Sequence, residues 1–163
     1  SHCHLSYKGN LENIDNIIQN ANEVSVKKFL NISTNFNEFS KIIEISKKYK
    51  DIFYSLGIHP HESEQTTIAI IDEIKKNTND PKMLAIGETG LDFFYNHSKK
   101  KSQIHSLEMH IETSQETNLP LVIHMREAES EMIEIFNKKI KEKEFTGVIH
   151  CFTGSLNFAK KND

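Results

Sequence analysis

Met83-Leu84-Ala85-Ile86-Gly87-Glu88-Thr89-Gly90-Leu91-Asp92 runs from a short apolar stretch straight into a carboxylate set between glycines. Met83–Gly87 reads as a strand, with Glu88 and Asp92 in the segment that leaves it. The arrangement recurs along the chain. Ile52–Ile58 leads into His59-Pro60-His61, Leu121–His124 into Met125-Arg126, and Gly147–Phe152 carries His150. A further β-type run covers Val26–Ser33.

Segments with helical spacing lie between these runs. Leu11, Ile14 and Ile18 repeat at helical intervals, as do Met132, Ile133, Phe136 and Ile140. Further helices are predicted over Phe36–Lys48, Glu64–Lys76 and Lys101–Thr117, and another begins near Ser155, whose hydroxyl suits an N-cap. Alternating strands and helices predict a parallel sheet with helical crossovers. Periodicity alone leaves an open doubly wound sheet and a barrel equally open. A full barrel needs about 250 residues and eight units, and only five clear strands are read here.

With 163 residues the chain suits one domain with its own core. Charged residues make up 26% and hydrophobic residues 37%, which excludes a disordered chain. A formal net charge of -3 argues against a broadly basic nucleic-acid coat, though not against an enzyme that holds phosphates through metal ions. No run approaches the ~20 apolar residues of a membrane span, and two cysteines make no disulfide framework, so a cytoplasmic protein is expected. The chain opens at Ser1-His2-Cys3-His4 and stops at Lys160-Lys161-Asn162-Asp163 in a helical segment; both ends are expected to be cuts through a longer fold.

In parallel α/β folds the carboxyl ends of strands converge on one mouth. His59, Glu88, His124 and His150 are therefore expected to meet. In an extended segment His2 and His4 point to the same side, with Cys3 directed away. Imidazoles and carboxylates are the ligands of Zn²⁺ and related divalent ions. Each histidine alone is more simply a hydrogen-bonded surface residue, and Glu88 alone a carboxylate favoured at a helix N-terminus. Taken together, His2, His4, Glu88, His124 and His150 suffice for two ions if Glu88 bridges. Ions about 4 Å apart stabilise the attacking and leaving oxygens of a phosphodiester.

At these residues the chain resembles the TatD family of metal-dependent deoxyribonucleases. The resemblance rests on Ser1–Leu5, Ser55–Glu62, Ala85–Phe94, Leu119–Ala128 and Gly147–Ser155, five blocks in order. It implies an incomplete TIM-like (β/α)8 barrel in one metallohydrolase domain over residues 1–163, lacking most of the first strand and the last two βα units. It also implies two divalent ions, Mg²⁺, Mn²⁺ or Zn²⁺. His2 and His4 would hold one, His124 and His150 the second, with Glu88 as the catalytic bridge. His59, His61 and Arg126 would meet substrate phosphate, and Asp92 would fix a ligand histidine from behind. The implied activity is hydrolysis of DNA ends or single strands, 3'-5', with no membrane or obligate protein partner. The family's late Asp ligand and general base is absent from this chain, and Thr89 stands where Ile or Val is usual. The 163-residue piece alone is accordingly expected to be unstable or poorly active.

Two other readings remain open. Related barrels hydrolyse C–N bonds, commonly with a carboxylated lysine where this chain has Glu88. An inactive truncated or decayed gene product is the other, although every interior ligand position is intact. Cys3 and Cys151 are expected to be buried thiols. His97, His105 and His110 are expected on the surface, as are Lys99–Lys101 and the Lys138–Glu144 run. Phe93, Phe94 and Tyr95 suit rim packing or, alternatively, stacking on bases.

Overall fold

The computed structural model describes residues 2–161, without the side chain of Lys161. Ser1, and the expected end of the chain at Asn162-Asp163, lie outside the described residues. Six strands alternate with helices: β1 (His2–Cys3), α1 (Lys8–Leu11), α2 (Ile14–Glu23), β2 (Phe29–Ile32), α3 (Phe39–Lys48), β3 (Ile52–Leu56), α4 (Ile68–Asn77), β4 (Met83–Asp92), α5 (Lys100–Thr117), β5 (Leu121–Arg126), α6 (Glu129–Glu142), β6 (Gly147–Ile149) and α7 (Leu156–Lys161). 3₁₀ segments at Phe36–Glu38 and Pro60–Gln65 precede α3 and α4.

Every strand pairs in parallel with its neighbours in the sequence, in the order β1-β2-β3-β4-β5-β6. A doubly wound sheet reverses its strand order at a switch point. This sheet never does, so it is a curled arc of a barrel wall with six of the usual eight strands. Alternation along the strands makes two layers. Tyr54, Leu56, Met83, Ile86, Leu121 and Ile123 face Ile42, Ile74, Leu107, Ile111, Met132 and Phe136 of the helices in one large core. Ile32, Ala85 and Val122 form a small inner cluster on the opposite face.

Several elements differ from expectation. The strand expected over Val26–Ser33 shortens to Phe29–Ile32, because Ser25 turns with φ 67° and the Val26 amide donates to Ala21 O of α2. The strand expected to end at Gly87 continues to Asp92, and the last strand ends at Ile149. Cys151 is exposed, with φ 49°, because the chain turns outward after His150. Cys3 is half-buried; its thiol donates to Leu30 O at 3.4 Å, and burial pushes its pKa up to about 11. His110 is fully buried, and Lys139 is buried between Glu112 and Glu142. Ser155 does cap α7, accepting from the Phe158 amide at 3.1 Å. Among the described residues no helix is long and apolar enough to cross a membrane.

Candidate metal centre

The centre is built around Glu88, and the backbone of β4 aims it. Ile86 pairs with Leu121 while Thr89 pairs with Ile123, so β4 carries one more residue than β5 between the two pairs. Strict alternation would give Glu88 the outward direction of Ile86, against the helices. The extra residue is a β-bulge that resets the phase. Glu88 then faces inward with Gly90 and Asp92, which pair with His124 and Arg126. Gly87 and Gly90 have φ of 132° and 144°, and a Cβ on either would sit 2.4 Å from Val122 O or 1.9 Å from His124 O. No side chain fits at either position. The Glu88 amide is tied to Ser33 O at 3.1 Å, and Ser33 Oγ bonds both the amide and the carbonyl of Gly57.

Glu88 is only 3% exposed. Its Oε1 lies 2.5 Å from His150 Nε2, 3.2 Å from His124 Nδ1 and 3.6 Å from His59 Nε2; its Oε2 lies 3.3 Å from His2 Nε2. Two triads share it, His2–Glu88–His150 and His59–Glu88–His124, each with its ligand atoms within 4.8 Å of one another. His2 and His150 stack at 4.2 Å. His4 Nε2 stands 3.2 Å from His2 Nε2, outside both triads.

Hydrogen bonds fix which nitrogens offer lone pairs. His4 donates from Nδ1 to Ile32 O at 3.1 Å, leaving Nε2 free toward His2. His124 donates from Nε2 to Asp92 Oδ2 at 3.0 Å and from Nδ1 to Glu88 Oε1 at 3.2 Å, so Nδ1 would offer a lone pair only when a cation replaces its proton. In His59, Nδ1 accepts the His61 amide at 3.2 Å, so its proton sits on Nε2, facing Glu88. His59 therefore stands among the ligand-type groups as a donor, the polarity a phosphate oxygen requires. His61 Nε2 lies 2.9 Å from Asp92 Oδ2, so the fully buried Asp92 buttresses two rings with one oxygen.

Burial alone would raise the Glu88 carboxyl, but hydrogen bonds from His124, His150 and His2 hold it well below the usual range. For Asp92, likewise, burial opposes and the Tyr95 amide, His61 and His124 prevail, leaving it low. Burial would lower His124, yet Glu88 and Asp92 outweigh it and raise its pKa. Burial lowers His4 and takes His59 down to about 3, so both are neutral. A buried anionic carboxylate ringed by imidazole nitrogens is a donor set that fits a divalent first-row ion, and the ion takes the place of the protons that otherwise balance it.

Arg126 stands at the rim, apart from Glu88, with its Cζ 4.6 Å from the Phe94 ring centroid. Sequence reasoning missed Tyr7 and Thr34. They line a cleft of about 310 Å³ with His4, His59, His61, Glu62, Glu88 and His150. Tyr7 stacks on His4 at 4.9 Å from a turn with no periodicity to signal it.

A parallel barrel arc whose strand ends surround one buried carboxylate with imidazoles is a donor set of the kind that holds divalent metal ions. The chain belongs to the TatD-related DNase family, whose model matches residues 1–162. A metal-dependent hydrolase of Buchnera aphidicola subsp. Acyrthosiphon pisum is 37% identical over 170 residues, covering 99% of this chain and 64% of its own length. The 3'-5' ssDNA/RNA exonuclease TatD of Salmonella typhimurium is 30% identical over 141 residues, covering 86% and 54%. The crystal structure of YjjV, a TatD homologue from Escherichia coli K12, superposes with a TM-score of 0.89 at 23% identity, covering 99% of this chain and 62% of that one. A TatD-family hydrolase from Entamoeba histolytica gives 0.83 at 26% identity, covering 98% and 60%. These likenesses place the six-stranded arc in the TatD fold. The chain spans 64% and 61% of the two Buchnera relatives it matches.

Proposed function

We propose that residues 1–163 form part of the catalytic barrel of a divalent-metal-dependent phosphodiesterase acting on single-stranded DNA from the 3' end. The observation that carries this reading is Glu88, a buried carboxylate with histidine nitrogens from four other segments within 3.6 Å of its oxygens. The substrate class follows the name of the Salmonella relative, and the donors around Glu88 suit it.

In this reading His2, His4, Glu88, His124 and His150 would hold the ions. When bound, the ions supply Lewis-acid stabilisation of charge on the phosphodiester oxygens. The protein's own groups do the rest. Asp92 holds the ring of His124 in position and keeps its Nδ1 unprotonated once a cation is bound. Neutral His59 presents Nε2–H to a phosphate oxygen, and His61, braced by Asp92, sits beside it with ring centroids 4.4 Å apart. Arg126 supplies positive charge at the rim.

The test uses the full-length gene product, an end-labelled single strand and added Mg²⁺ or Mn²⁺, with Glu88→Ala as control. Stepwise shortening from the 3' end is expected, with activity falling at least a hundredfold in the variant. Calorimetric titration with Mn²⁺ should show binding to the wild type and its loss in Glu88→Ala. Undiminished cleavage by Glu88→Ala would remove the reading.

A further inference from the structure

Two aromatic rings at the mouth of the centre are left half in water by a backbone that is tightly fixed. Phe94 is 49% exposed and Tyr95 54%. They stand on the turn that leaves β4, and Asp92 Oδ1 accepts both of their amides, at 3.1 and 2.9 Å. Its other oxygen bonds His61 and His124. One buried carboxylate thus sets the position of the two rings relative to the two histidines. Gln103 locks the same segment from α5: its Oε1 accepts the Asp92 amide at 2.7 Å, and its Nε2 donates to Asp92 O and Ser98 O. Asn96 closes the turn by donating to Phe93 O at 3.1 Å. Phe93 anchors the turn in the core, whereas its two successors point away from it.

The surroundings of the rings point to a ligand. Phe94 and Tyr95 meet edge to face, centroids 4.7 Å apart. The Arg126 guanidinium lies 4.6 Å from the Phe94 centroid and 5.7 Å from that of Tyr95. Among the described residues Arg126 makes no ion pair, and its buried Nε has no hydrogen-bond partner. Tyr95 approaches His61 to 5.7 Å, next to the cleft over Glu88. A cation held by aromatic faces instead of a carboxylate keeps its charge for an incoming anion. Rigid exposed rings beside such a cation are the means by which single strands are held without reading sequence: bases stack on the rings while the charge meets the backbone.

We propose that Phe94, Tyr95 and Arg126 form a stacking platform for a nucleobase next to the phosphodiester at the metal centre. The platform makes an unpaired base, of any identity, part of what the site recognises. A base within a duplex already has both faces covered, so the platform favours single strands and frayed ends. This rests on the phosphodiesterase reading for its substrate, and its test is separable from that reading.

The measurement is fluorescence anisotropy of the Mn²⁺-loaded full-length protein with a short, phosphorothioate-linked oligodeoxythymidylate that resists cleavage. The competing ligand is the same strand with its 3'-terminal nucleotides made abasic. The wild type is expected to bind the base-bearing strand about tenfold more tightly, the order expected of one stacked base. A Phe94→Leu, Tyr95→Leu variant keeps apolar bulk but has no aromatic face, and its preference should fall within about twofold. Equal affinity of the wild type for both strands, binding of neither, or a preference that survives in the variant each overturns the platform. Turnover of bis(p-nitrophenyl) phosphate by the wild type reports separately on the catalytic reading. Turnover without base preference leaves that reading standing and removes the platform. Base preference without turnover does the reverse.

Discussion

His110 is the fully buried residue whose ionisation can be followed cleanly. Its Nδ1–H donates to Ser106 O at 2.7 Å, and its Nε2 accepts the Ile58 amide at 3.1 Å, so both nitrogens are engaged and the ring is neutral. Burial takes its pKa down to about 4. The unfolded chain regains a value of about 6.5 and binds a proton the folded chain refuses, so stability falls as the pH falls through this window. The shift corresponds to an order of 3 kcal/mol at full extent. His59, taken down to about 3, acts in the same sense, whereas His124 acts in the opposite one. Urea titrations of wild type and His110→Gln at pH 7 and pH 4.5 therefore read His110 by difference. The wild type is expected to lose the larger amount on acidification, and equal losses would rule the account out. The sequence reading put His110 on the surface and missed its burial, although it lies between Leu107 and Ile111, on the face α5 turns to the core. An imidazole in that stripe gives no sign that its partner is a strand-end amide 52 residues upstream. The donor polarity of His59 was equally hidden, because a tautomer is chosen by the other nitrogen's hydrogen bond, which sequence does not show.

Among the elements, β4 carries the largest consequence. Its glycines let one strand change phase and bring Glu88 to the inner face. Gly90→Ala is expected to destabilise the protein by about 3 kcal/mol or more, since the new Cβ meets His124 O at 1.9 Å and φ is 144°. A chemical denaturation midpoint unchanged from wild type would contradict this. The order of elements was legible because apolar runs and helical stripes survive in any register. The convergence of His59, Glu88, His124 and His150 was legible for the same reason, since each ends or follows an apolar run. The bulge was not, because the strand was expected to stop at Gly87, before the residues where the phase changes. The two-residue β1 was also illegible as a strand: its pairing with Leu30 and Asn31 is set by β2, not by its own pattern. Ser155 announced its cap, but not the Glu129 carboxylate that accepts its amide and its hydroxyl, joining the start of α6 to the start of α7. That contact spans 26 residues and has no local signature.

At the scale of the whole chain, the free side of β6 is expected to set how the 163 residues behave on their own in solution. Among the described residues β6 pairs only with β5, so its other side is an open edge. Beside that edge Val148 is 56% exposed and Leu156 69%, and Ile140 and Phe152 are also exposed. They line a groove of about 870 Å³ together with Phe145 and Ile149. Unpaired strand edges flanked by apolar side chains are templates for pairing with another chain. A net charge of -3 offers little repulsion to prevent contact. The 163-residue chain on its own is therefore expected to bind ANS and to run as oligomers in light-scattering chromatography at micromolar concentration. Val148→Lys with Leu156→Lys places two charges on the edge and the groove and should return the chain to a monomer with weak ANS signal. A wild-type chain that is monomeric and silent to ANS would show that the edge is covered by some arrangement of its own residues. The paired lysines would then change nothing.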